Sequence, residues 1–135
     1  KAVPVKLGKP QQMIESLPVL FISVHTACDC RCLMCGAWTA RGVHQEISEA
    51  SLARCLPSIS SLGVRHVILA GGEPLKHSSL WSLCRILKQA PVTITLVPSG
   101  RMLEAQAEEV VQIDDHTVDI QSPHTIPSDV FCLQK

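Results

Sequence analysis

Residues Cys28 to Cys35 read CDCRCLMC, so four thiols fall within eight residues. Thiolates are soft ligands, and this many on one short stretch suit a thiophilic metal centre or a redox-active thiol. The spacing separates the readings. Structural zinc is usually held by two separated pairs of ligands, and no second pair accompanies this stretch. A thiol–disulfide protein wants an isolated CxxC opening a helix, whereas Cys32 and Cys35 are followed by a polar connector. Cys28, Cys32 and Cys35 have the spacing CxxxCxxC. Three thiolates so arranged can hold three corners of a cubane [4Fe–4S] cluster and leave its fourth iron open. Cysteine-rich loops also bind zinc or stand as free thiols, and the spacing alone leaves those readings open. Cys30 is not needed for it. Its simplest reading is a loop thiol, with a competing ligand set through Cys30 as the other.

A second motif lies farther on, Gly71-Gly72-Glu73-Pro74. Adjacent glycines let backbone approach a ligand closely and adopt φ values that other residues avoid. Glu73 offers an acceptor for an ammonium group. Taken alone, GGEP reads as a strand-to-helix turn with a solvent-facing Glu.

The surrounding elements explain how these motifs meet. LPVLFISVH (17–25) is a nearly continuous apolar run rich in β-branched residues, which predicts a strand buried on both faces. Leu52, Cys55, Leu56, Ile59 and Leu62 recur at helical spacing, predicting a helix over 48–62 that Pro57 should kink and Gly63 should end. VRHVILA (64–70) predicts a second strand, and Leu80, Leu83, Cys84 and Leu87 form the stripe of a helix over 78–89. Cys55 and Cys84, on these stripes, are expected in the core. VTITLV (92–97) predicts a third strand, 103–112 a helix, and TVDIQ (117–121) a fourth strand.

This alternation predicts an α/β fold, a parallel sheet with right-handed crossovers and about four β/α units. In such sheets ligands gather where the strands' C-terminal ends emerge. CDCRCLMC, GGEP, PSG (98–100) and QSP (121–123) each follow a strand, so they are expected on one face.

Bulk composition excludes other classes. Twelve basic and twelve acidic side chains leave a net charge of zero, which argues against a nucleic-acid or anionic-membrane surface. Two Trp, two Phe and no Tyr provide little for base stacking. No apolar run approaches the roughly 20 residues of a membrane span. Seven unevenly spread cysteines suit thiolate ligands in a reducing cytoplasm better than a disulfide framework. Residues 1–16 read as a polar lead-in and 17–135 as one unit.

CxxxCxxC after the first strand and GGEP after the second, in this order, resemble the radical S-adenosylmethionine superfamily. The resemblance extends from about residue 17 to 122. It implies a partial TIM-type (β/α) barrel of about six units, of which this chain is expected to be the N-terminal portion. It implies a [4Fe–4S] cluster on Cys28, Cys32 and Cys35, with S-adenosylmethionine on the open iron. Met34 would pack near the adenine, and Gly71, Gly72, Glu73 and Pro74 would receive the methionine amino group. Ser99 sits where relatives often have Asn, and Gln121 or Ser122 where relatives place a ribose contact. His25, with Thr26 leading into the cysteines, could tune the cluster through a hydrogen bond. Trp38 reads as packing, and His44, His66, His77, His116 and His124 are assigned no role. The implied activity is reductive cleavage of S-adenosylmethionine to a 5′-deoxyadenosyl radical that abstracts hydrogen from a substrate the sequence does not name. A low-potential donor such as ferredoxin or flavodoxin is implied with it. A non-catalytic iron–sulfur or zinc-binding module is the alternative, and Glu73 in GGEP speaks against it.

Overall fold

Strand and helix alternate along the chain as their sequence periods require. The computed structural model describes residues 14–31, 35–36, 39, 44–99, 102, 104–106, 108 and 118–120. Strand β1 spans Val19–His25, helix α1 Glu49–Ser61 and strand β2 His66–Gly71. Helix α2 spans Leu80–Leu87, strand β3 Thr93–Leu96 and strand β4 Val118–Ile120. The four strands form a sheet in the order β1-β2-β3-β4, and each neighbouring pair is parallel.

Local chemistry sets the ends of α1. The Ser48 side chain accepts the Ser51 N–H as N-cap. Gly63 follows the last turn at φ 68°, the left-handed conformation that glycine tolerates best. Gly63 N–H donates to Ser60 O and Val64 N–H to Ile59 O, the paired bonds of a Schellman stop. The helix runs on through Pro57.

Both helices cover one face of the sheet. Val24, Val67, Leu69, Ile94 and Leu96 pack there against Leu52 and Ile59 of α1 and against Leu80, Leu83, Cys84 and Leu87 of α2. Same-side helices on a sequentially ordered parallel sheet follow from right-handed crossovers of one hand.

Two sequence expectations need correction. β1 is not buried on both faces: Val19 is 48% and Phe21 61% exposed on the side away from the helices. No described element packs over that side, and it carries polar groups as well. His66 there pairs with Thr93 Oγ1 (2.7 Å) and Thr95 Oγ1 (2.9 Å) across β2 and β3. Cys55 is exposed. It lies about 60° round α1 from Leu52, on the flank away from Leu56, so helical spacing to the core residues does not bury it. Within 103–112 the described residues are a 3₁₀ turn at Glu104–Gln106 and a helical Glu108.

Candidate metal and cofactor site

The C-terminal ends of β1, β2 and β3 are joined by hydrogen bonds into one rim. Gly72 N–H donates to His25 O and Glu73 N–H to Ala27 O, both at 2.7 Å. The backbone of GGEP therefore lies against the backbone that leads into Cys28. The glycines permit this approach. A Cβ on Gly71, where φ is 137°, would stand 2.4 Å from His25 O. One on Gly72 would stand 2.1 Å from Ala27 O and 2.5 Å from the carbon bearing it. Side chains at these positions would push the two loops apart.

Glu73 completes the junction. It is fully buried, which corrects the solvent-facing reading of GGEP. Its Oε1 accepts Leu75 N–H (3.0 Å), capping the 3₁₀ turn Pro74–Lys76, and its Oε2 accepts Ser99 N–H (2.8 Å) beyond β3. A buried carboxylate is tolerated where hydrogen bonds replace its lost water. Both oxygens have a backbone partner, so Glu73 acts within the structure as a clamp between two strand ends. Gln106 adds another tie by donating from Nε2 to Leu75 O (2.8 Å).

A second clasp closes the cysteine stretch from its far side. The chain returns at Gln45 and Ile47. Thr26 N–H donates to Gln45 O (3.0 Å) and Ile47 N–H to Val24 O (3.1 Å). The buried His25 accepts Ala27 N–H at Nδ1 (3.0 Å), while its Nε2 faces Glu46 Oε1 at 3.3 Å. Glu46 also accepts from Ser78 through both N–H (3.0 Å) and Oγ (2.5 Å). The Ser78 hydroxyl is the main reason this carboxyl is held below the usual range, with Ser78 N–H, His77 and His25 acting in the same direction. Buried His77 accepts Ser79 N–H at Nδ1 and donates from Nε2 to Ile47 O (2.9 Å). The sequence singled out His25 alone of this group. Glu46 sat in a polar connector with no local pattern to mark it.

Between the clasps lie the cysteines. Cys28 is half-buried, Cys30 buried at 2% exposure, and Cys35 exposed. Burial pushes the Cys28 thiol up, and the negative charges of Glu73, Asp29 and Cys35 add to that. The Cys30 N–H, donating to the sulfur, opposes them. Lys76 Nζ lies 3.9 Å from Asp29 Oδ2, with both groups about a third exposed, so this pair contributes about 0–1 kcal/mol. Cys32, Met34, Gln121 and Ser122 lie outside the described residues. Of the expected site residues, Cys28, Gly71, Gly72, Glu73, Pro74 and Ser99 are gathered on one rim, and Cys35 is close enough for its charge to act on Cys28.

A family model described as the radical SAM superfamily matches residues 22–126. The chain is similar to the GTP 3′,8-cyclase of Chlorobaculum tepidum, with 31% identity over 93 residues, 67% of this chain and 28% of that protein. It is 32% identical over 79 residues to the 7-carboxy-7-deazaguanine synthase of Rhodopirellula baltica, covering 56% of this chain and 29% of that protein. A probable GTP 3′,8-cyclase of Thermococcus kodakarensis is 25% identical over 113 residues, covering 83% and 36%. The chain thus matches about a third or less of the length of each of these proteins.

Proposed function

The chain belongs to the radical SAM superfamily, and we propose that it is the cofactor-binding part of a radical SAM enzyme. On this reading Cys28, Cys32 and Cys35 ligate a [4Fe–4S] cluster. Gly71, Gly72, Glu73 and Pro74 form the neighbouring cradle for S-adenosylmethionine, with Met34, Ser99, Gln121 and Ser122 as its further contacts. The observation that carries the reading is the backbone joint of GGEP to the stretch leading into Cys28, two 2.7 Å hydrogen bonds from Gly72 and Glu73 beside glycines that admit no Cβ. An unrelated zinc clip has no need of that joint, whereas a cofactor spanning both motifs requires them in fixed relation.

The donor chemistry fits the group. Soft sulfurs suit iron–sulfur centres, and Cys28 is half-buried in a stretch held at both ends. When bound, the cluster and S-adenosylmethionine supply reductive carbon–sulfur cleavage and hydrogen-atom abstraction from a substrate. The protein's part is positional. Glu73 holds the GGEP turn to the end of β3, and His25 with Glu46 closes the entry and return of the cysteine stretch. These restraints keep the cradle in place.

Four parallel strands with helices on one face support an N-terminal portion of a partial TIM-type barrel. A low-potential donor such as ferredoxin or flavodoxin and a reducing cytoplasm belong to the same reading. Among the described residues no helix is long and apolar enough to cross a membrane. The substrates named for the relatives are not carried over, because the match covers about a third or less of each of those proteins.

Anaerobic reconstitution with iron and sulfide, followed by electron paramagnetic resonance of the reduced chain, tests this reading. The expected result is a [4Fe–4S]⁺ signal that changes on adding S-adenosylmethionine. Cys32→Ala should lose cluster iron. A signal indifferent to S-adenosylmethionine, or full cluster iron in Cys32→Ala, overturns the assignment.

A further inference from the structure

We propose that Cys28, Asp29 and Cys30 form a site for a single thiophilic divalent ion such as Zn²⁺, and that it competes with the iron–sulfur cluster because the two donor sets share Cys28. The proposal gives a role to Cys30, which the CxxxCxxC spacing does not use.

Geometry is the first support. The two sulfurs and an Asp29 carboxylate oxygen all lie within 4.8 Å of one another. Zn–S distances of about 2.3 Å place two sulfurs on one tetrahedral zinc roughly 3.8 Å apart, so closure asks for a contraction of about 1 Å at most. The donors are consecutive residues, and the chelate needs no distant segment. Two thiolates, one carboxylate and a water complete a four-coordinate zinc.

Charge is the second support. The Asp29 carboxylate stands beside the two sulfurs, and with both thiols deprotonated the donor set offers negative charge to a divalent cation. Cys30 is already withdrawn from water, so binding there forfeits little hydration. The competing cation is Lys76, whose pairing with Asp29 at 3.9 Å is loose and partly solvated. Loading releases the two thiol protons and forms two Zn–S bonds. A Cys28 sulfur so engaged no longer supplies a cluster corner.

The test uses the whole chain, reduced and metal-free under anaerobic conditions, with Co²⁺ as the spectroscopic probe and Zn²⁺ to displace it. One Co²⁺ should bind with near-ultraviolet sulfur-to-cobalt charge-transfer bands. Losing a ligand should cost at least the roughly 10- to 100-fold that losing an outer partner costs, so Cys30→Ser should weaken binding by that factor or more. Cys32→Ser should leave the binding curve unchanged. Asp29→Asn should weaken it without removing the charge-transfer bands, and this variant decides the question if Cys30→Ser does not fold. Wild-type binding in both Cys30→Ser and Asp29→Asn overturns the proposal. So does loss in Cys32→Ser equal to that in Cys30→Ser, which would place the ion on the cluster cysteines. One equivalent of Zn²⁺ added before iron and sulfide should block cluster formation in the wild type and not in Cys30→Ser. A Cys30→Ser chain that forms no cluster even without zinc counts against the cluster assignment, while the cobalt titration alone decides this site.

Discussion

Gly72→Ala should destabilise the metal-free chain far more than a glycine-to-alanine change ordinarily does. The new Cβ would sit 2.1 Å from Ala27 O, 2.5 Å from Ala27 C and 2.9 Å from Thr26 O. All three are backbone atoms, so no side chain can swing aside. Relief requires the GGEP turn and the backbone before Cys28 to separate by more than an ångström, to ordinary van der Waals contact. That separation breaks Gly72 N–H to His25 O and Glu73 N–H to Ala27 O, each 2.7 Å. A net hydrogen bond contributes about 1 kcal/mol, and a buried group left unpaired costs a further 1–3 kcal/mol, so the loss should be roughly 2–5 kcal/mol. Domains of this kind have about 5–15 kcal/mol of stability in all. Gly63→Ala is the control, because φ there is 68° and nothing lies within 4 Å of the added Cβ. It should lose only the left-handed penalty of about 1–2 kcal/mol. Urea unfolding followed by far-ultraviolet circular dichroism measures both. With a slope of about 1–3 kcal/mol per molar urea, the Gly72→Ala midpoint should fall by roughly 0.7 M or more. A Gly72→Ala midpoint no lower than that of Gly63→Ala refutes the claim that the glycines exist to seat one loop on the other.

Glu73→Gln keeps the shape of the side chain but turns one oxygen into a donor facing a backbone N–H, either Leu75 or Ser99. It should cost about 1–3 kcal/mol in the same urea assay, and a neutral result would mean that the clamp carries no stability. Burial pushes the Cys84 thiol up to about 11 from an ordinary 9.0. The folded value is the higher one, so the associated stability is complete below pH 9.0 and is lost as pH rises through 11. Melting temperatures should fall across that window, and Cys84→Ala should reduce the slope. In the native chain a thiol reagent should label exposed Cys55 rapidly and buried Cys84 only on unfolding. Rapid native labelling of Cys84 would contradict the packing of α2. Glu46 is held below the ordinary 4.5, so its contribution is present above that value and is lost as pH falls through the lowered one. Glu46→Gln should flatten the acid limb of the stability profile, and an unchanged limb would show that the contact with Ser78 and His25 is not felt in solution.

The features readable from the sequence are those that depend on neighbours along the chain. Leu80, Leu83, Cys84 and Leu87 recur at helical spacing, and α2 buries all four. Ser48 and Gly63 bracket α1 as their cap chemistry dictates. Strand–helix alternation fixed the parallel sheet, because short connections and one crossover hand leave few other arrangements. CxxxCxxC and GGEP were legible as motifs because their chemistry lies in residue types at short separation.

What escaped the sequence depends on contacts between distant segments. Periodicity placed Cys55 on a helix stripe, but whether that flank is covered depends on how α1 sits on the sheet. β1 reads as apolar throughout, and only the packing decides that Phe21 is exposed while Val24 is buried. Glu46 pairs with residues 21 and 32 positions away, and nothing in its own connector records this. The glycines of GGEP were legible as a site of close approach, but not as the seat for the backbone before Cys28. Glu73 looked like a free acceptor and is a buried clamp between Leu75 and Ser99, because two strand ends meet over it. Chain-local chemistry therefore determined which residue types stand together in the motifs. The tertiary structure decided which of them are exposed and which hold the others in place, since burial and hydrogen-bond partners are properties of the folded arrangement.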